Sequence, residues 1–246
     1  MPSKALFTQR SIVRTQQPQQ APQVNTGSAL ARRLTSAFVL TNSGMVFDAR
    51  SGKAIIPTSA TGITFNVARP GGVGVSSLST VNGTVNFDIG RVLPVPSAGV
   101  EQTIAFGAFL PVAAAAYEEI ASLAGQNLKI GTSNTTAGTF GLSLTGVADV
   151  VTTLTHPSAG DYNVVYAMKF GSTLETTVRG QSGFQYSSIA IGTPTTSTGT
   201  ASYLLTAGGS EGTPVGTVLR YLLVWDRKLL RAEAASLADN PWQVFR

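Results

Sequence analysis

Residues 219–246, LRYLLVWDRKLLRAEAASLADNPWQVFR, decide the fold class of this chain. The stretch from Leu219 to Trp225 is mostly aliphatic and aromatic, which is typical of a strand. Charged residues end the strand, and apolar residues then recur at helical spacing from Leu230 to Asp239. The helix is expected to end at Asn240, because the residue before a proline disfavours the helical region. Trp242 and Phe245 lie beyond the helix and need an apolar surface, so we expect the chain end to fold back onto its own domain.

The composition favours strands and tight turns. Only 12% of the 246 residues are charged, against about 25% in an average soluble domain. A chain of this length can form one β-sandwich and bury about 70–75% of the surface that it exposes when unfolded. Residues 113–124 have a helix-prone composition, although residues 117–121 fit a strand equally well. The predicted strands are Ala54–Ile56, Thr64–Val67, Gly72–Ser76, Thr84–Ile89, Gln102–Phe109, Gln126–Ile130, Phe140–Thr145, Val150–Thr155, Asn163–Phe170, Glu175–Arg179, Ser187–Ile191 and Thr217–Trp225.

Three segments resemble the concanavalin A-like, laminin G-type jelly rolls of tailed-phage and prophage genes. The first is the C-terminal pattern strand-WDRKL-(x)3-E-(x)3-L-(x)2-NPWQ-x-F. The second is DYNVVYAMKFGSTLETTVRG at 161–180, and the third is ALARRLTSAFVL at 29–40. The resemblance covers about residues 29–246. It implies an all-β, concanavalin A-like jelly-roll sandwich with a short C-terminal helix.

Two positions depart from the family pattern. The family's helix usually opens with a serine or threonine cap, and Leu230 occupies that place here, so the capping box with Glu233 is lost. Arg33 stands where glycine is usual. We expect the missing cap to weaken the start of the helix without changing the fold.

The N-terminal part of the chain differs from the rest in charge. The net charge is +5, and it lies entirely in residues 1–47, which contain no acidic residue. Residues 15–27, TQQPQQAPQVNTG, form a Gln/Pro-rich stretch with little to bury. We therefore divide the chain into an extended basic arm at 1–28 and a jelly-roll domain at 29–246. We expect the arm to bind other virion proteins through Lys4, Phe7, Arg10 and Arg14.

The sequence argues against catalysis. Retaining glycosidases need two carboxyl groups about 5–5.5 Å apart, but Glu118 and Glu119 are the only close pair, and neighbouring residues of a strand point to opposite faces. We expect this pair at a solvated edge. His156 is the only histidine, and HPSAG at 156–160 is typical of a turn between strands. We predict no enzymatic activity and no catalytic residue.

Cofactor and nucleotide sites are also missing from the sequence. The chain has no cysteine, so only an oxygen-ligated cation such as calcium remains open. Asp88, Asp149 and Asp161 could supply carboxylates, but their spacing matches no motif, so we predict no metal and no cofactor. The GGVG run at 71–74 is too short for a dinucleotide loop and fits a hairpin turn or bulge better.

Three aromatic residues in Gly/Ser-rich stretches are candidates for binding a sugar ring: Phe184, Tyr186 and Tyr203. Exposed aromatic side chains on loops stack on the apolar face of a pyranose, whereas the alternative for each residue is a place in the core. The five basic residues of the first 47 form too thin a patch to indicate a nucleic-acid site. We also expect no membrane span and no secretory signal.

The resemblance and the arm together predict a non-enzymatic virion structural protein of a tailed bacteriophage, made in the host cytoplasm. In this interpretation the arm anchors a homo-oligomeric, lectin-like jelly roll at the tail or baseplate, where it meets cell-surface glycans. Two alternatives remain open. The protein could decorate the head, with the jelly roll serving as a scaffold, or it could be a free carbohydrate-binding protein.

Overall fold

The structure is a computed structural model. It describes the following residues: 16–18, 22–40, 46–57, 63–77, 87–90, 97–111, 119–123, 128–132, 138–144, 150–156, 158–195, 202–205, 213 and 215–246.

Strands dominate the described residues. They are β1 (Leu34–Leu40), β2 (Val46–Asp48), β3 (Lys53–Ile55), β4 (Ile63–Arg69), β5 (Gly72–Ser77), β6 (Phe87–Asp88), β7 (Glu101–Leu110), β8 (Glu119–Leu123), β9 (Leu128–Thr132), β10 (Thr139–Leu144), β11 (Val150–Thr155), β12 (Gly160–Lys169), β13 (Thr173–Gly180), β14 (Gly183–Ala190), β15 (Tyr203–Leu204) and β16 (Val218–Trp225). The helix α1 spans Arg231–Asp239, and 3-10 turns span Ala29–Ala31 and Pro241–Val244. None of the described helices has the length and apolar character needed to cross a membrane.

The strands form two antiparallel sheets, as expected for a jelly-roll sandwich. The larger sheet has ten strands in the order β14-β13-β12-β7-β16-β1-β2-β3, with the β4–β5 hairpin joined to β16 through β5. The smaller sheet has six strands in the order β11-β10-β9-β8-β15-β6. Strands β7, β12 and β16 lie at the centre of the larger sheet, where burial on both faces explains their nearly continuous apolar sequences.

The main core fills the space between the two sheets. Phe106 and Tyr166 from the larger sheet pack with their ring centroids 6.2 Å apart, and Phe140 faces them from the smaller sheet. The Tyr166 hydroxyl donates to the carbonyl oxygens of Gly131 and Gly141, each 3.1 Å away. Burial raises the pKa of this phenol. The hydroxyl therefore ties the two sheets together while remaining protonated.

A second core covers the outer face of the larger sheet. Trp242 and Phe245 are both buried in it, and the Trp242 ring lies 5.3 Å from the ring of Tyr221 on β16. The Tyr221 hydroxyl donates to Asn163 Oδ1 at 3.1 Å. Helix α1 contributes Leu237 to the same core. The prediction that the C-terminal aromatic residues fold back onto their own domain is confirmed.

The start of α1 depends on a glutamate and an arginine. The N–H of Leu230 donates to Glu233 Oε2 at 2.9 Å, so the return half of a capping box is present, although a leucine side chain cannot supply the other half. Arg227 donates to both carboxylate oxygens of Glu233, at 2.7 and 2.9 Å. This guanidinium holds the pKa of Glu233 below its ordinary value. Arg227 thus holds the Glu233 carboxylate where it accepts the N–H of Leu230.

A β-bulge in β16 places an arginine against the outer face of the sheet. Pairing with β7 shifts between Leu219 and Tyr221, so the intervening Arg220 does not follow the alternation of the strand. Its buried guanidinium forms an ion pair with Asp161. Asp161 also accepts the N–H of Gly71, at 3.0 Å. The pair thus joins β16 and β12 to the turn of the β4–β5 hairpin. The antiparallel pairing of β4 with β5 confirms the hairpin predicted from the GGVG run.

Part of the segment assigned to the arm lies on the domain. Val24 is buried in the outer core and forms a β-bridge with Phe245. The side chain of Gln17 accepts the N–H of Val73 at 2.7 Å and donates to its carbonyl oxygen at 2.6 Å. The N–H of Asn25 donates to the carbonyl of Val244 at 2.7 Å. Residues 22–28 therefore help to cover the outer face of the larger sheet.

Most predicted strands overlap a described strand, and the differences concern β1, β2, β8, β14 and β15. Strand β8 at 119–123 lies in the helix-prone stretch 113–124 and overlaps residues 117–121, for which helix and strand were both open. Strands β1, β2 and β15 were not in the predicted set. Strand β14 begins at Gly183 rather than at Ser187, and this difference changes the interpretation of the aromatic candidates.

Candidate functional site

Phe184 and Tyr186 lie on a strand, so their expected place in a loop is wrong. Both belong to β14, the edge of the larger sheet among the described strands. The turn that precedes them is tight, with Gly180 paired to Gly183. Gly183 has φ of 109°, a conformation that side chains other than hydrogen rarely allow. This turn fixes the register that brings both aromatic side chains to the outer face.

Each aromatic ring is covered by a guanidinium. Phe184 is paired across the hairpin with Arg179, and the guanidinium carbon of Arg179 lies 4.8 Å from the centroid of the Phe184 ring. The guanidinium carbon of Arg231, the first residue of α1, lies 3.9 Å from the centroid of the Tyr186 ring. We call these four residues the cation–aromatic patch. Phe184 remains 51% exposed, so much of its ring faces solvent.

Most charged side chains in and around the cation–aromatic patch have an oppositely charged partner, but Arg231 has none among the described residues. Arg179 lies 3.6 Å from Asp239. Nearby, Lys228 pairs with Glu175, and Glu233 is held by Arg227. Arg231 has no carboxylate partner among the described residues. Its guanidinium is exposed and rests on Tyr186, so its N–H donors remain available in the plane of the group.

Sequence reasoning missed the two arginines of the patch. Arg179 was assigned only to a strand, and Arg231 only to a helix. The register of the β13–β14 hairpin could have indicated Arg179, because two glycines separated by two residues predict which residues face each other across the turn. Arg231 had no such signal, since its approach to Tyr186 depends on how α1 packs over β12 and β13.

The other predicted site residues are not part of this patch. Tyr203 belongs to β15 in the smaller sheet, where it pairs with Asp88 and Ser122, and its side chain is outside the described residues. The arm residues Lys4, Phe7, Arg10 and Arg14 are also outside the described residues. The structure therefore brings together two of the three aromatic candidates.

His156 lies between β11 and β12, as expected, but it is buried rather than at an open turn. Its ring centroid lies 5.3 Å from that of Phe140 and 5.9 Å from that of Tyr162. Neither ring nitrogen has a hydrogen-bond partner among the described residues. Burial lowers the pKa of the imidazole below its ordinary value of 6.5. The residue is thus a core side chain, and neither of its nitrogens is bonded to a serine or threonine hydroxyl in the described part of the chain.

The acidic candidates are scattered. Glu118 and Asp149 are outside the described residues, and Glu119 is buried on β8 instead of lying at the solvated edge that we expected. Asp161 is engaged by Arg220, and Asp88 accepts the N–H of Gly90 at 2.9 Å. Within the described ranges, no three acidic or histidine side chains are grouped in a way that could hold a metal ion.

Two shallow clefts lie near the opposite edge of the larger sheet. One, of about 410 Å³, is lined by residues of the N-terminal segment and of the β2–β3 turn, including Gln23, Arg50 and Arg246. The other, of about 280 Å³, includes Asp48 and Asp88. The Asp48 carboxylate accepts backbone N–H groups of its own turn and of β1, so it serves local structure. Neither cleft contains a predicted site residue other than Asp88.

Solved structures of similar shape are binding domains. The binding domain of Paraclostridial Mosquitocidal Protein 1 matches 85% of this chain and 52% of that chain, with a TM-score of 0.62 and 13% identity. The receptor binding domain of botulinum neurotoxin D matches 86% of this chain and 53% of that chain, with a TM-score of 0.56 and 10% identity. This chain therefore spans about half the length of these two toxin domains.

A third similar structure matches over nearly its whole length. It is domain 4 of AbnA, a GH43 extracellular arabinanase from Geobacillus stearothermophilus, in complex with arabinotriose. It covers 84% of this chain and 98% of its own, with a TM-score of 0.55 and 12% identity. Neither a protein-family model nor a curated protein matches the chain. The TM-scores show a shared fold despite these low identities, and the all-β jelly-roll sandwich predicted from the sequence is confirmed.

Proposed function

We propose that this chain is a non-enzymatic binding protein of a bacteriophage particle, and that its jelly roll presents the cation–aromatic patch to a cell-surface glycan. The observation that carries the proposal is the half-exposed Phe184 beside Tyr186 on the outer face of an edge strand. A rigid strand holds both rings in fixed positions, which reduces the entropy lost on binding. Stacking of a sugar ring on such a surface needs no movement of the backbone.

The support for a non-catalytic role comes from the chemistry of the polar residues. His156 is enclosed by aromatic rings, and Glu119 is buried on β8. The patch itself offers guanidinium groups and aromatic rings, which bind and orient a ligand but are poor proton acceptors at neutral pH. The similar solved structures are described as binding domains or as a domain in complex with arabinotriose. These descriptions support a binding role rather than a catalytic one.

The anchor that we propose is the basic N-terminal arm. Residues 22–28 cover the domain itself, so we assign attachment to other virion proteins to residues 1–15, with Lys4, Phe7, Arg10 and Arg14. We place the protein at the tail or baseplate as a homo-oligomer, because a glycan-binding surface has its target there. The resemblance of residues 29–246 to phage jelly rolls supports the particle assignment.

Glycan binding can be tested with the full chain on a glycan array, followed by calorimetry on the best ligand. We expect Phe184→Ala and Tyr186→Ala each to weaken binding while leaving the thermal unfolding curve nearly unchanged. Ile56 is 75% exposed and lies away from the patch, so Ile56→Ala is the matched control and should bind as the parent does. Absence of binding to every glycan would overturn the proposed ligand.

Particle attachment needs a separate experiment. We expect mass spectrometry to detect the chain in purified virions and immunogold labelling with an antibody against residues 29–246 to mark the tail. Deletion of residues 1–15 should abolish incorporation and leave glycan binding intact. Label over the head would instead indicate a decoration protein. Absence from purified particles would reject the virion role and favour a free carbohydrate-binding protein.

A further inference from the structure

Arg231 holds the one guanidinium of the cation–aromatic patch that has no carboxylate partner among the described residues. The neighbouring carboxylates are each engaged by another cation: Asp239 by Arg179, Glu175 by Lys228 and Glu233 by Arg227. An arginine stacked on an aromatic ring presents its N–H donors sideways, in the geometry that fits both oxygens of a carboxylate. Among the described residues, Arg231 is therefore the group of the patch that could bind an external anion.

The aromatic rings set the distance at which that anion would lie. Phe184 and Tyr186 are two residues apart on one strand, so their side chains leave the same face about 6.5–7 Å apart. Phe184 offers exposed ring surface, and Arg231 stands over Tyr186. A pyranose stacked on Phe184 would thus direct a ring substituent toward the guanidinium of Arg231.

We propose, on the premise that the patch binds sugar as proposed above, that its ligand is an acidic saccharide whose carboxylate is bound by Arg231 while its ring stacks on Phe184. Arg179 has a supporting part: it is paired with Asp239 and covers one face of Phe184, which leaves the remaining surface of that ring for the sugar. The charge of the ligand, and not only its ring, then determines binding.

The probes are three carboxylate sugars: oligogalacturonate, sialyllactose and hyaluronan oligomers. Each is compared with its methyl ester, which keeps the sugar and removes the charge. We expect the full chain to bind at least one acid about 10- to 100-fold more tightly than its ester, because a hydrogen bond to a charged group contributes that much. The preference should decrease as salt concentration rises.

Variants at Arg231 assign the effect to one side chain. Arg231→Gln should reduce binding of the acid to the level of the ester and leave binding of the ester unchanged. Arg231→Lys should restore part of the preference, since lysine keeps the charge but not the paired donors. Arg50 is exposed at the opposite edge of the sheet, so Arg50→Gln removes the same charge elsewhere and should change nothing.

The outcomes separate this inference from the proposed function. Equal binding of acids and esters, lost in Phe184→Ala, would overturn the acidic ligand and keep a glycan-binding patch. No binding of any sugar would overturn both. Displacement of a bound acid by a single-stranded oligothymidylate at equal concentration would also reject the inference, because guanidinium groups and aromatic rings then act as a surface for nucleic acid.

Discussion

Arg33 holds a backbone conformation that glycine adopts more readily. Its φ is 60°, which costs a residue with a side chain roughly 1–2 kcal/mol. Its Nε donates to Asp226 Oδ1 at 2.9 Å, but the two side chains are 61% and 41% exposed, and such pairs contribute about 0–1 kcal/mol. We expect Arg33→Gly to leave the free energy of unfolding within about 1 kcal/mol of the parent, as measured by urea denaturation.

A second substitution at this position separates backbone from side chain. Arg33→Val removes the ion pair as glycine does, but its branched side chain resists a positive φ. We expect Arg33→Val to be less stable than Arg33→Gly by more than about 1 kcal/mol. Equal stabilities of the two variants would show that the backbone at residue 33 is not strained.

His156 should make the stability of the protein depend on pH. The pKa of the buried imidazole is lowered by desolvation, so the unfolded chain takes up a proton more readily than the folded one. The contribution is therefore fully present above about pH 6.5 and is lost as the pH falls below it, by up to about 1.4 kcal/mol per pH unit. Urea denaturation at a series of pH values measures this loss.

The matched variant for this prediction is His156→Leu, which fills a similar volume among Phe140 and Tyr162 and does not titrate. The acid loss due to carboxylates such as Glu233 is common to both proteins and cancels in the difference. We expect the parent to lose more stability than the variant between about pH 7 and about pH 5, because only the parent has an imidazole that takes up a proton on unfolding. Parallel curves would mean that the imidazole is solvated or paired.

The C-terminal elements act as one unit on the outer face of the larger sheet. Helix α1, the following 3-10 turn and Phe245 all contribute to a core that includes Tyr221 and Trp225 of β16. Truncating Trp242 to alanine would leave a cavity beside Tyr221. We expect Trp242→Ala to cost about 3–5 kcal/mol, measured by urea denaturation of the monomer. A loss under about 1 kcal/mol would place this residue in an interface instead.

The elements were predictable where their local pattern was strong. Strand β16, helix α1 and the chain reversal at Pro241 follow from apolar runs, spacing and proline chemistry, which are properties of neighbouring residues. Strand β14 was predicted to begin late, because Gly183 and the glycine before the turn are typical of a loop. Only the aromatic residues of the patch were predicted from the sequence. The contact of Arg231 with Tyr186 was not, since it joins two elements that are distant in sequence.

In the molecule as a whole, the two faces of the larger sheet pack against different parts of the chain. The inner face forms the main core with the smaller sheet. The outer face is covered over its centre by α1, the C-terminal turn and residues 22–28, and it leaves β14 partly open. The same helix that shields the sheet carries Arg231 to the patch. Folding of the C-terminus and construction of the proposed site are therefore coupled.

This arrangement predicts a difference between two truncations of the N-terminus. Deleting residues 1–15 removes none of the contacts described above, so this truncation serves as the reference for the longer one. Deleting residues 1–28 removes Val24 from the outer core and Gln17 from the edge of β5. Burial of a valine alone contributes about 1.5–3 kcal/mol, so this second truncation should unfold at lower temperature and at lower urea concentration.

Two controls assign the loss to these contacts. Val24→Ala in the full chain should reproduce part of the effect, because it removes side-chain burial and keeps the bonds of Asn25 to Val244. Gln17→Ala should reproduce another part by leaving the N–H and carbonyl of Val73 without their partner. If the two truncations unfold alike, residues 16–28 do not complete the outer core. The whole segment 1–28 would then be free to serve as the arm.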